Sequence, residues 1–264
     1  MKKKVKTHKK ITLQSVIMYV LLIKTKVEIF AKPFSWPEIP QWSNYVEAWT
    51  SANMSRYFIN SLIQAGATVI VLALVSTMAA YVLSRFDFKC NKFLLLFFML
   101  GMMVPVHTVL VPVSYIIGTL NLKNNIVALV MIYVAFNLPF SILVVTNFMK
   151  GVNRSLEEAA LIDGATYFQI YRNVMLPMTV PAISTISIFN FLGAWNNILF
   201  PLLFINDKNL KPIALGLLNF NGERGSDYGP LMAAIVITVA VPLVIYLLFQ
   251  EKVEGGLAAG AVKE

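Results

Sequence analysis

Glu157-Glu158-Ala159-Ala160-Leu161-Ile162-Asp163-Gly164-Ala165, running on through Val174-Met175-Leu176-Pro177 to Pro181, lies between two long apolar runs. Its order predicts a short helix, a glycine break, a second helix and a proline stop. Glu157 and Glu158 fall in a first helical turn, where carboxylates complement the helix dipole, and Ser155 stands as N-cap. Asp163-Gly164 supplies a turn that needs positive φ. Residues 166–175 resume as helix, and Pro177 and Pro181 separate the element from the next apolar run. A folded loop of this kind within a membrane protein is built to touch another protein.

Outward from the loop, apolar runs of at least 20 residues occur near 58–83, 93–117, 126–148, 182–205 and 230–250, each long enough for a hydrocarbon core of ~30 Å. A sixth run, 11–23, has 13 residues and reaches only ~20 Å as a helix. The expected fold is therefore all-α, a polytopic transmembrane bundle with five full spans and a shortened first one. Composition agrees: 58% of residues are hydrophobic and 13% charged, with a mean hydropathy of +0.70, which excludes a soluble domain.

Positive residues near spans collect on the cytoplasmic side. With six crossings and both termini inside, the inner segments hold fourteen of the 22 Lys and Arg: six lysines within 2–10, then Arg85, Lys89, Lys92, Lys150, Arg154, Arg172, Lys252 and Lys263. With five crossings and the loop still inside, the six N-terminal lysines move out and the balance inverts. The charge rule thus favours a spanning first segment. A cleaved signal peptide is disfavoured, because Lys24-Thr25-Lys26 follows the run in place of a small-x-small site.

The net charge of +9 is explained by topology and anionic headgroups, so lipid is the expected partner and nucleic acid is not. Cys90 is the single cysteine, which excludes an intrachain disulfide or a multi-cysteine metal site. His8 and His107 are far apart, there is no H-E-x-x-H, and no Walker-type loop is present, so no catalytic residue, metal site or cofactor of the chain's own is expected. Within the spans, Trp195, Asn196 and Asn197 offer an aromatic face and amides to a polar solute passing the midplane, or else pair with neighbouring helices. Asn137, before Pro139, reads as a partner for backbone freed at a kink, and His107 as an exposed-end or packing histidine.

Glu158-Ala159-Ala160, Gly164 and Leu176-Pro177 resemble the "EAA" motif of ABC importer permeases, with Val174 in place of isoleucine. Tyr57-Phe58-Ile59-Asn60-Ser61, Ala80-Tyr81-Val82-Leu83-Ser84-Arg85-Phe86, Phe191-Leu192-Gly193-Ala194-Trp195-Asn196 and Gly260-Ala261-Val262-Lys263 narrow the resemblance to the maltose-type sugar permeases, over roughly residues 24–264. The resemblance implies a type I importer permease in the bacterial or archaeal plasma membrane. Its implied partners are a second homologous permease, two ATP-binding cassette ATPase subunits that bind the ATP, and an extracellular sugar-binding protein. It makes Glu157, Glu158, Ala159, Ala160, Asp163, Gly164 and Pro177 the ATPase-coupling residues of a loop at 151–177. Residues 1–56 are then the basic N-terminus, short span and outer segment, 57–250 the permease domain, and 251–264 a cytoplasmic tail.

Lys24-Thr25-Lys26-Val27-Glu28-Ile29-Phe30 resembles the stretch that follows a complete first helix in the family, so about fifteen residues are missing before Lys24. Glu251-Lys252-Val253-Glu254-Gly255 departs from the aromatic, basic stretch expected in the tail. The loop 206–229, with Gly222, Gly225 and Gly229, would face the binding protein. The rival readings are a transport-defective remnant that still assembles, an importer for peptides or another non-sugar solute, and a membrane enzyme. No ionisable pair within the spans supports the last.

Overall fold

Three helices in this computed structural model are long and apolar enough to cross a bilayer: Met54–Arg85, Ile126–Lys150 and Tyr228–Phe249. The structure describes residues 24–261 apart from 33–34, 51, 223–224 and 227. The short first run at 11–23 and the last tail residues lie outside the described residues.

In chain order the helices are α1 Lys26–Ala31, α2 Ser43–Thr50, α3 Met54–Arg85, α4 Asn91–Met102, α5 Leu110–Thr119, α6 Ile126–Gly151, α7 Ser155–Ile162, α8 Tyr167–Ile170, α9 Leu176–Met178, α10 Val180–Asn196, α11 Leu199–Phe204, α12 Ile213–Gly216 and α13 Tyr228–Ala261. Asn221–Gly222 and Gly225–Ser226 pair as a two-residue antiparallel ribbon. The all-α expectation holds, with helix dominating the described residues. α13 continues past the expected domain boundary at 250, so residues 251–261 of the expected tail are helical.

Two of the five expected full spans are broken. The run 93–117 divides into α4 and a second half, Val106–Thr119, bent by 89°. Pro105 causes the break: it is extended, with φ −66° and ψ 128°, and a residue before proline is pushed out of helical conformation. Pro112 sits in the first turn of α5, where its missing N–H costs no helical bond. The run 182–205 ends as a helix at Asn196; Asn197 is extended and α11 follows separately.

The chain divides into two compact units, 1–55 with 216–240 and 56–215 with 241–264. In the first, Thr25 and Glu28 form a reciprocal capping box at α1, and Phe30 packs edge-on against Tyr228 at 4.9 Å. In the second, one apolar cluster joins Ala65 of α3, Ile117 of α5, Ala128, Leu129, Ile132 and Tyr133 of α6, Ala194 of α10, and Phe200 and Phe204 of α11. Another joins Ala80 and Tyr81 of α3, Val145 and Met149 of α6, Ile186 of α10, and Ile170, Tyr171 and Met175 from the 151–177 loop. That second cluster fixes the loop to three spans.

Candidate functional site

α7 starts at Ser155, not after it. Asn153 Oδ1 accepts from Ser155 N at 3.1 Å, while Arg154 occupies the cap without a side-chain bond. Ser155 is therefore a first-turn residue rather than the expected N-cap, because the amide two residues upstream already satisfies its N–H. Glu157 and Glu158 do lie in the first turn.

The helix closes as a Schellman motif: Ala165 N donates to Ala160 O at 2.9 Å and Gly164 N to Leu161 O at 3.0 Å. Gly164 takes φ +81°, the left-handed conformation that glycine adopts without strain. A β-carbon there would meet nothing within 4 Å, so within this chain only backbone strain opposes substitution. Ala160 and Ala165, the flanking pair of the motif, both pack against the second apolar cluster.

Sequence reasoning missed the main electrostatic link of the loop. Glu157 Oε1 lies 2.5 Å from Arg85 Nε at the end of α3, with side-chain exposures of 12% and 5%. Arg85 Nη2 also donates to Val152 O at 3.0 Å, so one guanidinium holds both the start of the loop and its first helix. Burial pushes the Glu157 carboxyl above the usual carboxylate range, against the pull of Arg85 and Arg154. Arg85 carried a signal in the sequence, a lone cation ending an apolar run within a family-like stretch, but nothing there named its partner.

The loop is thus two-sided. Glu157, Ala160, Ala165, Ile170, Tyr171 and Met175 face the spans, whereas Glu158, Ala159, Asp163 and Gly164 are exposed. Ile162 is 86% exposed, beside exposed Leu161 and Phe168.

Beyond Gly164, Thr166 and Gln169 form a second capping box, and the backbone then widens into a π-turn over Tyr171–Met175. Tyr171 Oη lies 2.8 Å from Thr77 Oγ1; since Thr77 donates to Ala73 O at 2.6 Å, Tyr171 is the donor. Pro177 does not stop the helix, contrary to expectation. It sits in the first turn of α9, where the preceding π-turn relieves the clash a proline ring makes in a regular helix. The break falls at Thr179, and Pro181 opens α10, giving a bend of 72° between Tyr167–Met178 and α10.

The three residues expected on a substrate path are placed differently from one another. Trp195 is 0% exposed, with its ring stacked on Phe191 at 5.6 Å and edge-on to Phe58 at 5.5 Å, so here it presents no free aromatic face. Asn197 Oδ1 accepts from Phe200 N at 3.2 Å, starting α11. Asn196 alone is exposed.

The buried polar groups of this region lie elsewhere. Gln64 Nε2 donates to Ala194 O at 3.0 Å, and Asn190 Nδ2 to Ser141 Oγ at 3.0 Å, joining α10 to α6. Asn137 Nδ2 donates to Tyr133 O at 2.8 Å. It therefore serves its own helix near Pro139, though not the carbonyl four residues before the proline. His107 is exposed in a single tight turn. Among the described residues no group of His, Cys, Asp and Glu is arranged to hold a metal.

At the other end of α3, Asn60 Nδ2 donates to Asn209 O at 2.8 Å and Lys211 O at 3.0 Å, and Ile213 N donates to Ser61 Oγ at 2.8 Å. Asn124, at φ +56°, accepts from Asn206 N at 2.6 Å and Asp207 N at 3.0 Å. These bonds anchor the start of the 206–229 loop.

Unbroken and bent apolar helices with a docked, capped two-helix loop between them define a multi-pass membrane protein of the transport-permease class. The chain belongs to the binding-protein-dependent transport system inner membrane component family, which it matches over residues 70–258. It is 35% identical to the diacetylchitobiose uptake system permease protein NgcG of Streptomyces coelicolor, over 97% of this chain and 88% of that one. It is 30% identical to the probable starch degradation products transport system permease protein AmyC of Thermoanaerobacterium thermosulfurigenes, over 93% and 90% of the two chains. In fold it is similar to a chain of a bacterial ABC transporter that imports the acidic polysaccharide alginate. That match has a TM-score of 0.80 at 19% identity and covers 89% of this chain and 88% of that one. The resemblance to sugar permeases read from the sequence motifs is borne out by the family and these relatives.

Proposed function

We propose that this chain is one membrane-spanning half of an ATP-driven, binding-protein-dependent importer of oligosaccharides, coupled to its ATPase subunits through the 151–177 loop. The two-sidedness of that loop carries the reading. Its inner side is tied to α3, α6 and α10 by the Arg85–Glu157 pair and a shared apolar cluster, so a push on the loop is delivered to three spans at once. Its outer side offers Glu158, Asp163 and the exposed apolar residues Leu161, Ile162 and Phe168, a mixed surface suited to a protein cleft. Closure of the ATPases would then rock the spans as rigid bodies.

The carbohydrate substrate rests on the relatives named for diacetylchitobiose and starch degradation products. A second, similar permease would complete the path, and an extracellular binding protein would deliver the sugar. Both termini are assigned to the cytoplasm by the charge distribution. On the path, Asn196 is the exposed amide, framed by buried Trp195 and the helix-starting Asn197.

The test is ATP turnover by the reconstituted complex with its binding protein in proteoliposomes, across a panel of mono- and oligosaccharides. Stimulation by an oligosaccharide, lost in Gly164→Asp with the complex still assembled, is the expected result. Turnover and uptake unchanged in that variant would remove the coupling assignment.

A further inference from the structure

The ends of α3 and α6 and the start of α4 line an open cavity of about 540 Å3 whose lining includes Arg85, Lys89, Lys92, Lys150 and Arg154, with Asp87 the one carboxylate among the lining residues. Arg85 is committed to Glu157. Lys89, Lys92 and Lys150 have no carboxylate within ion-pair reach among the described residues. Cations gathered around one cavity repel each other unless an anion sits between them. Asn91, also in the lining, is uncharged and cannot supply that neutralisation; its amide donates to the carbonyls of Leu83 and Phe86 and closes the end of α3.

The chemistry of the occupant is narrowed by what adjoins the cavity. α4 leaves it carrying Phe93, Leu96, Phe97 and Leu100, which are 58–67% exposed and fall at the i, i+3, i+4, i+7 spacing of a single helix face. A basic hollow continued by an apolar stripe is the imprint of an amphiphile with an anionic head. We propose that this cavity binds the phosphate of an anionic phospholipid, with Lys89, Lys92 and Lys150 around the headgroup and the acyl chains along the exposed face of α4. A free phosphate ion shares the head chemistry but would leave the stripe unused. Lys89, Lys92 and Lys150 lie outside the 151–177 loop, so substituting them tests this site separately from coupling.

The test uses the full chain in its assembled complex, purified in detergent and titrated with phosphatidylglycerol or phosphatidylcholine, with retained lipid read by native mass spectrometry. Phosphatidylglycerol should be retained on the order of a hundredfold over phosphatidylcholine, the scale expected of three lysines near one anionic headgroup. The triple variant Lys89→Gln, Lys92→Gln, Lys150→Gln should lose that preference, while the corresponding triple substitution to arginine keeps it. All three lysines are exposed, so neither variant threatens the fold. Equal retention of the two lipids, or a preference that survives the glutamine variant, would overturn the proposal. Displacement of phosphatidylglycerol by an equal concentration of inorganic phosphate would also overturn it, reassigning the cavity to the free ion.

Discussion

Arg85 and Glu157 meet at 2.5 Å across 72 positions of sequence, joining the last residue of a membrane helix to the first turn of the loop helix. The contact is an ion pair rather than an aligned hydrogen bond, so its strength comes from charge and burial. Removing one partner strands the other in a site with little water. Arg85→Ala should therefore destabilise the assembled chain by about 3 kcal/mol, the lower end of the range for breaking buried pairs. The double variant Arg85→Glu, Glu157→Arg should recover part of the loss. Thermal unfolding of the purified complex measures both, and a double-mutant cycle with no coupling between the positions would discard the link.

The same pair sets a pH dependence. Burial raises the folded-state pKa of Glu157 above its ordinary value of 4.5, so the folded chain binds this proton more readily than the unfolded one. Stability must then rise as pH falls from above the folded pKa toward 4.5, and the burial penalty is fully present at neutral pH. Glu157→Gln should remove that slope. The check is the melting temperature of the two proteins between pH 7 and pH 5: parallel curves would show that the carboxylate is not held out of water.

Gly164 separates backbone strain from docking. Because a side chain there meets open space inside this chain, Gly164→Val should cost only the left-handed penalty, on the order of 1–2 kcal/mol. Gly164→Asn should cost less, since asparagine tolerates that conformation. A larger loss of uptake than of stability would assign the excess to the partner surface. Uptake and unfolding measured on both variants supply the comparison.

The membrane helices with clean ends were legible because apolar length alone specifies them: α3, α6 and the apolar part of α13 lie within a few residues of the runs read from the sequence. The breaks were not, since a run of uniform hydropathy conceals its geometry. Pro105 bends one run by 89°, and a π-turn lets Pro177 sit inside a helix that a proline ordinarily ends. In the loop, Gly164 and the first-turn glutamates were readable from local rules of capping and dipole. Glu157 and Glu158 look alike in sequence, but only Glu157 finds Arg85, and that choice depends on packing between distant elements. Trp195 shows the same limit: an aromatic beside two amides leaves open both a face for a passing sugar and packing between helices, and only the fold sets Phe58 and Phe191 against its ring.

Asn190 and Ser141 provide the test of how α10 is held to α6, the contact any rocking of the spans must preserve or exchange. The amide of Asn190 donates to Ser141 Oγ, whose own hydrogen is given to Asn137 O at 2.9 Å, so the hydroxyl is used in both directions. Ser141→Ala leaves the Asn190 amide buried without this acceptor, at a cost of about 1 kcal/mol, as for other hydrogen bonds between membrane helices. Asn190→Leu removes the stranded group along with the bond and should cost less in the Ser141→Ala background than alone. Thermal unfolding of the two single variants and the double variant measures that coupling. Strictly additive losses would mean that apolar contacts alone hold the two helices together, and that either residue could be changed without effect on the other.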